Sequence, residues 1–424
     1  MRSRVPRACF AVCAVLLGLV GGCTPSLEVD RLDDDATATA CTPAPNDCSL
    51  RGAIIHTNAM TDSSSISVPA GVFILGIPGA DEDTAATGDL DITRGITVTG
   101  AGAGLTIVDG NALDRVFDID PAGTGISVSI TGLTIQNGLV QSESGQGIRA
   151  QGDLTLEAVE VIQNGGDGAG IGGGIAVGDT SSAVLTGSLT LDNSTVRSNV
   201  GLGLAGGIFF DSPSGTLSIT HSTVSGNRVA PELLPVPIVS LSQGGGLWIG
   251  PGSASIMNST VSDNQTNPYV LNGPGGAGIL LYGSTLDLVN TTFSDNHADE
   301  GGADLVGNAI EGDLGRVTFA NTLLDRGGCL LSSGSTGVSN GGNLEQGSDT
   351  CGLHGSDDQV NVPDAMIGPL ASNGGLTETH ALLPGSPAID QGLSAPCPSD
   401  DQRGYTREDG LCDVGAFELG ATSP

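Results

Sequence analysis

Four stretches near the middle of the chain end alike: LTLDNSTVRSN, LSITHSTVSGN, ASIMNSTVSDN and LDLVNTTFSDN. Their last residues are Asn199, Asn227, Asn264 and Asn296, and Asn137 and Asn164 close two looser copies. The six are separated by 27, 35, 28, 37 and 32 residues. After each Asn comes a variable insertion, then a Gly pair with an apolar run such as GGIFF or GGGLWI. A recurrent period in this range marks a repeat architecture. Within each copy apolar residues alternate with small polar ones, as in Leu217 and Ile219 or Leu286 and Leu288. That is the period of strands. With 68 Gly in 424 residues, long helices are disfavoured. Two-residue hairpin signals do not join the strands, so the copies must pair in parallel. The predicted fold is all-β: a right-handed parallel β-helix, or β-solenoid, one coil per repeat.

Stacking accounts for the conserved spelling of the copies within this chain. Asn164, Asn199, Asn227, Asn264 and Asn296 are expected at coil corners in left-handed backbone geometry, each amide bonded to the next in a ladder. Val196, Val224, Val261 and Phe293 lie three residues earlier and are expected to stack inward.

The chain carries a net charge of −33, and its basic residues are all Arg. That field disfavours nucleic acid and anionic lipid as partners. Aromatic residues are 3%, so the core is aliphatic. Three of nine cysteines, Cys9, Cys13 and Cys23, lie in or at the end of an apolar leader. The other six fall in local pairs, Cys41/Cys48, Cys329/Cys351 and Cys397/Cys412, which suggests disulfides formed in an oxidising compartment. Six cysteines allow 15 pairings; locality favours these three.

Residues 1–22 combine Arg2, Arg4 and Arg7 with an apolar run, the pattern of a secretory signal. The following VGG-Cys23 resembles a bacterial lipobox, which implies lipidation at Cys23; ordinary secretion is the alternative. Losing 1–22 would change the charge from −33 to −36. Thr24 after the Cys points by resemblance to the outer membrane. Residues 23–45 read as a tether and first strand. Residues 46–125 read as a cap and irregular early coils, with Asn46 or Asp47 capping a helix whose apolar face is Leu50, Ile54 and Ile55. Such a helix would close the open end of the solenoid. Residues 126–326 are the regular coils, interrupted by Pro-containing insertions at 229–243 and 266–274. Residues 327–424 hold the last coils and a disulfide-pinned C-terminal cap.

Two sets of motifs add family resemblances. NDCSLRGAII closely resembles the CSLREA motif of bacterial surface β-helix proteins, with Gly52 where that motif has Glu. GDLDI, GAGAGLTIVDGN and DRVFDI look like the same family. PGSPAID at 384–390, DQRG at 401–404 and CDVGAFE at 412–418 closely resemble the choice-of-anchor Q domain. Together these imply a surface-displayed protein with a pectate-lyase-like β-helix. They say little about activity.

Polygalacturonase-type sites need a GHG and an RIK stretch; the first is missing and the second is impossible without Lys. Pectate-lyase-type sites need a Ca²⁺-binding carboxylate cluster and an Arg. The nearest match is Asp263 and Asp295, one coil apart, with Arg197 and Arg228 on earlier coils. Solvated corner carboxylates are the competing reading. His221 stands where other copies have Asn193, Asn258 and Asn290 and reads as a stack member. GGDGAGIGGG at 165–174 faintly echoes Ca²⁺-binding Gly-Asp repeats, but corner glycines explain it better. Trp248 reads as packing, or as a sugar platform if it faces outward.

The residues favour a non-enzymatic, lipid-anchored scaffold at the outer membrane or cell surface, binding a polysaccharide or cell-surface partner through its loops. It would act as a monomer and touch the membrane only through its N-terminal lipid. A Ca²⁺-dependent polysaccharide lyase, or other glycan-active enzyme of the pectate-lyase type, is the alternative. A purely structural envelope component is the third.

Overall fold

The computed structural model describes residues 26–61, 64–80, 82–140, 143–166, 170–178, 186–230, 244–266, 276–298, 308–331, 334–407 and 410–423. The leader, Cys23 and most of both insertions lie outside them. The described chain is a parallel β-helix. One coil shows the plan. Strand Ile208–Phe210 belongs to a nine-stranded sheet. Strand Thr216–Thr220 follows, the chain bends at His221, and strand Thr223–Ser225 continues in a 20-stranded sheet. The short strand Arg228–Val229 then joins a four-stranded sheet. Each strand pairs in parallel with its equivalent one coil away, so Leu189 faces Leu217, Leu217 faces Ala254 and Ala254 faces Leu286. Period-two patterning decides the register: a slip of one residue would turn every buried aliphatic to water.

The bends obey the same logic. Asn193, His221, Asn258, Asn290 and Asn321 form one column, all with φ of 45–50°. Asn tolerates that region because its short amide bonds locally. At the next corner the left-handed residue is the one before the ladder Asn: Gln163, Ser198, Gly226, Asp263 and Asp295. The left-handed geometry expected at the ladder Asn therefore falls one residue earlier. The Asn column is buried, and each Oδ1 accepts from the previous coil. Asn164 Nδ2 donates to Asn199, Asn199 to Asn227, Asn227 to Asn264 and Asn264 to Asn296, all at 2.9–3.0 Å. Asn137 is not in this column. It takes the left-handed place, and Gly138 N donates to Asn164 Oδ1. Val196, Val224, Val261 and Phe293 stack inside, each at most 1% exposed.

The N-terminal end is closed by helix Leu50–Asn58. Its N-cap is Ser49, whose side chain accepts from Gly52 N; Asn46 and Asp47 lie before it. Asn46 instead takes φ 65° in the Cys41–Cys48 disulfide loop. A Cβ at Gly52 would stand 1.9 Å from the Ala38 carbonyl oxygen, so the helix docks here only without a side chain. Neighbouring Arg51 is fully buried. It pairs with Asp34 and donates to the carbonyls of Ala85, Gly88 and Asp89. The segment before the helix carries the expected first strand, and from Ser26 it is folded: strand Ser26–Glu28 pairs with Ser64–Ser67, and Asp34 holds Gly76 and Ile77 N–H groups. The early coils continue in register, Ser64–Ser67 on Ile96–Thr99 on Ser127–Thr131.

At the other end, Cys329–Cys351 joins adjacent turns and Cys397–Cys412 pins the tail. The C-terminal cap packs on the last coils through Leu344, Val362, Leu382, Val414 and Phe417. It also runs back along the flank. Its backbone oxygens at Glu378, Asp400 and Asp413 accept from Thr223, Asn258 and Asn290. Gln402 bridges Thr223 and Thr260, on successive coils.

Candidate functional site

The nine-stranded sheet is built from triplets whose first and third residues point inward. Leu90–Ile92, Phe117–Ile119, Ile148–Ala150, Ile175–Val177, Ile208–Phe210, Leu247–Ile249 and Ile279–Leu281 align residue for residue. Their middle residues therefore form one outward row: Asp91, Asp118, Arg149, Ala176, Phe209, Trp248 and Leu280. The row divides in two. Ala176, Phe209, Trp248 and Leu280 are buried with Ala205, against Ile171 and Leu204. Phe209 stacks on Trp248 with ring centroids 4.8 Å apart, and Tyr282, half exposed, follows at 6.2 Å. Trp248 does face outward, but at 8% exposure it offers no open sugar platform.

The charged end of the row is a cluster that strand reasoning missed. Asp91 and Asp118 sit mid-strand. Their carboxylates and that of Asp83, from the loop before Leu90, lie within 4.8 Å of one another. Arg149 holds both oxygens of Asp118, and Arg115 pairs with Asp89 (2.7 Å) and Glu143. Glu82, Asp83, Asp89, Asp114, Asp118 and Glu143 line a cavity of about 200 Å³ with the two arginines. Burial pushes the Asp89 carboxyl up to about 9, helped by Asp91 and opposed by Arg115. Burial also raises Asp91 to about 7, against the Ala85 N–H that bonds it. The signal was present as the recurring apolar–Asp–apolar triplets LDI and FDI. It needed the register with IRA and IAV to become a row.

The 20-stranded sheet presents a different face. Ser65, Thr97, Ser129, Thr155, Thr190, Ser218 and Ser255 align on successive coils and point to solvent. At its N-terminal end this hydroxyl row borders an open trough of about 520 Å³, lined by Ser64, Ser65, Thr97, Ser127, Ser129 and Thr155.

The other sequence candidates do not meet in a groove in this way. Asp263 is an exposed corner with a bond from Ser262, and Asp295 pairs with Arg326 at 3.0 Å. Arg228 sits in the four-stranded sheet, beside Val200 and Gln265. His221 is held between Asp192 (3.1 Å) and Asp400 (3.5 Å), with Asn258 Nδ2 at 3.4 Å.

Parallel coils in this register over residues 92–344 match the family model described as the right handed beta helix region. The chain belongs to that family. Among solved structures, the β-helix is similar to pectate lyase Pel9A: 15% identity, 94% of this chain and 97% of that one covered, TM-score 0.47. It is also similar to the A-module of Azotobacter vinelandii mannuronan C-5 epimerase AlgE6, with 14% identity, 74% and 92% covered, and TM-score 0.30. No curated protein sequence matches the chain. Among the described residues no helix is long and apolar enough to cross a membrane.

Proposed function

We propose that this β-helix is a non-enzymatic, surface-displayed scaffold that binds an extended, hydroxyl-rich partner such as a polysaccharide. The hydroxyl-lined trough beside Thr97, Ser129 and Thr155 carries the reading. Seven in-register hydroxyls repeat at the strand spacing of about 4.8 Å, a length on the scale of a sugar unit. Neutral donors and acceptors of this kind orient a polyol without attracting a charged competitor. Burial of Phe209, Trp248 and Leu280 leaves that half of the outward row without an open groove, which favours a scaffold over a lyase. The CSLREA-like and choice-of-anchor Q-like ends and the lipobox-like Cys23 support display at the outer membrane or cell surface.

A glycan array with the purified chain tests the binding. Thr97→Val and Thr155→Val together should weaken retention of the bound glycan at least tenfold, about 1.4 kcal/mol. Unchanged retention would assign the row to strand pairing alone. Cys23→Ser should move the protein from the membrane to the soluble fraction, and unchanged fractionation refutes the lipid anchor. Release of unsaturated uronides from acidic polysaccharides in Ca²⁺ would favour the lyase instead.

A further inference from the structure

We infer that Asp83, Asp91 and Asp118 form a binding site for a hard divalent cation, calcium by preference, where the first coils meet the loop clamped by the N-terminal helix. The inference is independent of the glycan reading. Three carboxylates from three elements converge within 4.8 Å. Asp91 and Asp118 are register partners on neighbouring strands, so the sheet fixes their separation. The loop bearing Asp83 is fixed as well. Glu82 accepts from Thr84 and Thr87 N–H groups, and Arg51 binds the carbonyls of Ala85, Gly88 and Asp89.

The second observation is an orphan. Asp91 is fully buried; its Oδ2 accepts from Ala85 N, whereas Oδ1 has no hydrogen-bond partner. A buried carboxylate oxygen left in this way is costly. The arginines do not relieve it, since Arg115 engages Asp89 and Glu143 and Arg149 engages Asp118. Even without Asp89, the acids Glu82, Asp83, Asp114, Asp118 and Glu143 outnumber the two arginines of the adjoining cavity, so a cation entering past exposed Asp83 is drawn inward. The donors are all oxygens, which excludes a preference for zinc-type ions. Calcium accepts irregular sets of six to eight oxygens, with water completing the shell, whereas magnesium demands a near-ideal octahedron. Bound there, the ion would tie the Arg51-clamped loop to the first two coils.

The test is calorimetric titration of the chelator-treated chain with CaCl₂, together with thermal unfolding across a CaCl₂ series. We expect saturable binding and a Tm that climbs with calcium concentration. Asp83→Asn, at an exposed position, and Asp91→Asn should each weaken calcium at least tenfold, while Asp263→Asn leaves the affinity unchanged. If Asp91→Asn does not fold, Asp83→Asn decides. Neither heat nor Tm shift up to about 10 mM, ten times the weakest extracellular calcium modules, would overturn the site. So would parental affinity in Asp83→Asn.

Discussion

Replacing Asn227 by Ala tests the ladder at its centre. Asn227 Oδ1 accepts from Asn199 N (3.1 Å) and Asn199 Nδ2 (2.9 Å). Its Nδ2 donates to Val196 O (2.9 Å) and Asn264 Oδ1 (3.0 Å). All four bonds are buried and all four vanish in Ala. The damage is uneven. Asn199 Nδ2 keeps Val161 O, and Asn264 Oδ1 keeps the backbone N–H of residue 227. The Asn199 N–H loses its acceptor in a dry interior, at about 1–3 kcal/mol, and the three other bonds are worth about 1 kcal/mol each. Partial relaxation leaves an expected loss of about 4 kcal/mol. Asn137→Ala is the control. That residue holds the left-handed place outside the ladder and donates to Asp109, so its loss is about 1 kcal/mol. Coils unfold semi-independently, and a single global transition can hide a local defect. Urea unfolding should therefore be combined with hydrogen exchange resolved at Asn199, whose amide should lose protection in Asn227→Ala only. Equal losses in both variants, or an Asn199 amide that exchanges as in the parent, would refute the argument.

Two further perturbations probe the ends. Gly52→Glu should push the helix off Ala38 and cost at least about 1–3 kcal/mol as an overpacking defect. Thermal unfolding and proteolysis near residues 40–60 read it, and parental stability would mean that the helix re-docks freely. Glu418 is buried beside Arg407, and burial outweighs that cation, raising its carboxyl to about 7. Because the folded value lies above the ordinary one near 4.5, the folded state binds this proton more tightly. The group's contribution is therefore complete below about pH 4.5 and lost as pH rises through 7, by about 3 kcal/mol at most. Glu418→Gln should flatten the stability profile in that window, and an unaltered slope would show that Arg407 keeps the carboxylate charged throughout.

The repeats made most of the architecture readable. Leu217, Ile219 and Val224 are inward for the reason their spacing states, and each is at most 1% exposed. Asn199 and Asn227 recur because a stacked corner can satisfy an amide on both sides. Where the period was weak, the reading slipped. Asn137, which closes a looser copy, stands outside the ladder: it takes the left-handed place, and Gly138 holds the buried one. Ser49 caps the helix because Asn46 is used in the disulfide loop.

The site was less legible for a physical reason. Asp83, Asp91 and Asp118 lie in different elements, and nothing in their local spelling says that they meet. Asp118 and Arg149 are 31 residues apart in sequence yet hydrogen-bonded, because the sheet aligns Phe117–Ile119 with Ile148–Ala150. The tail's grip on the flank is of the same kind: Gln402 and Thr223 bond across 179 residues. Local periodicity alone determined that this chain is a stack of parallel coils, because each coil repeats the same in-and-out alternation and corner chemistry. Which outward side chains face one another was decided by the tertiary structure, since stacking register, insertion length and the returning tail set those distances.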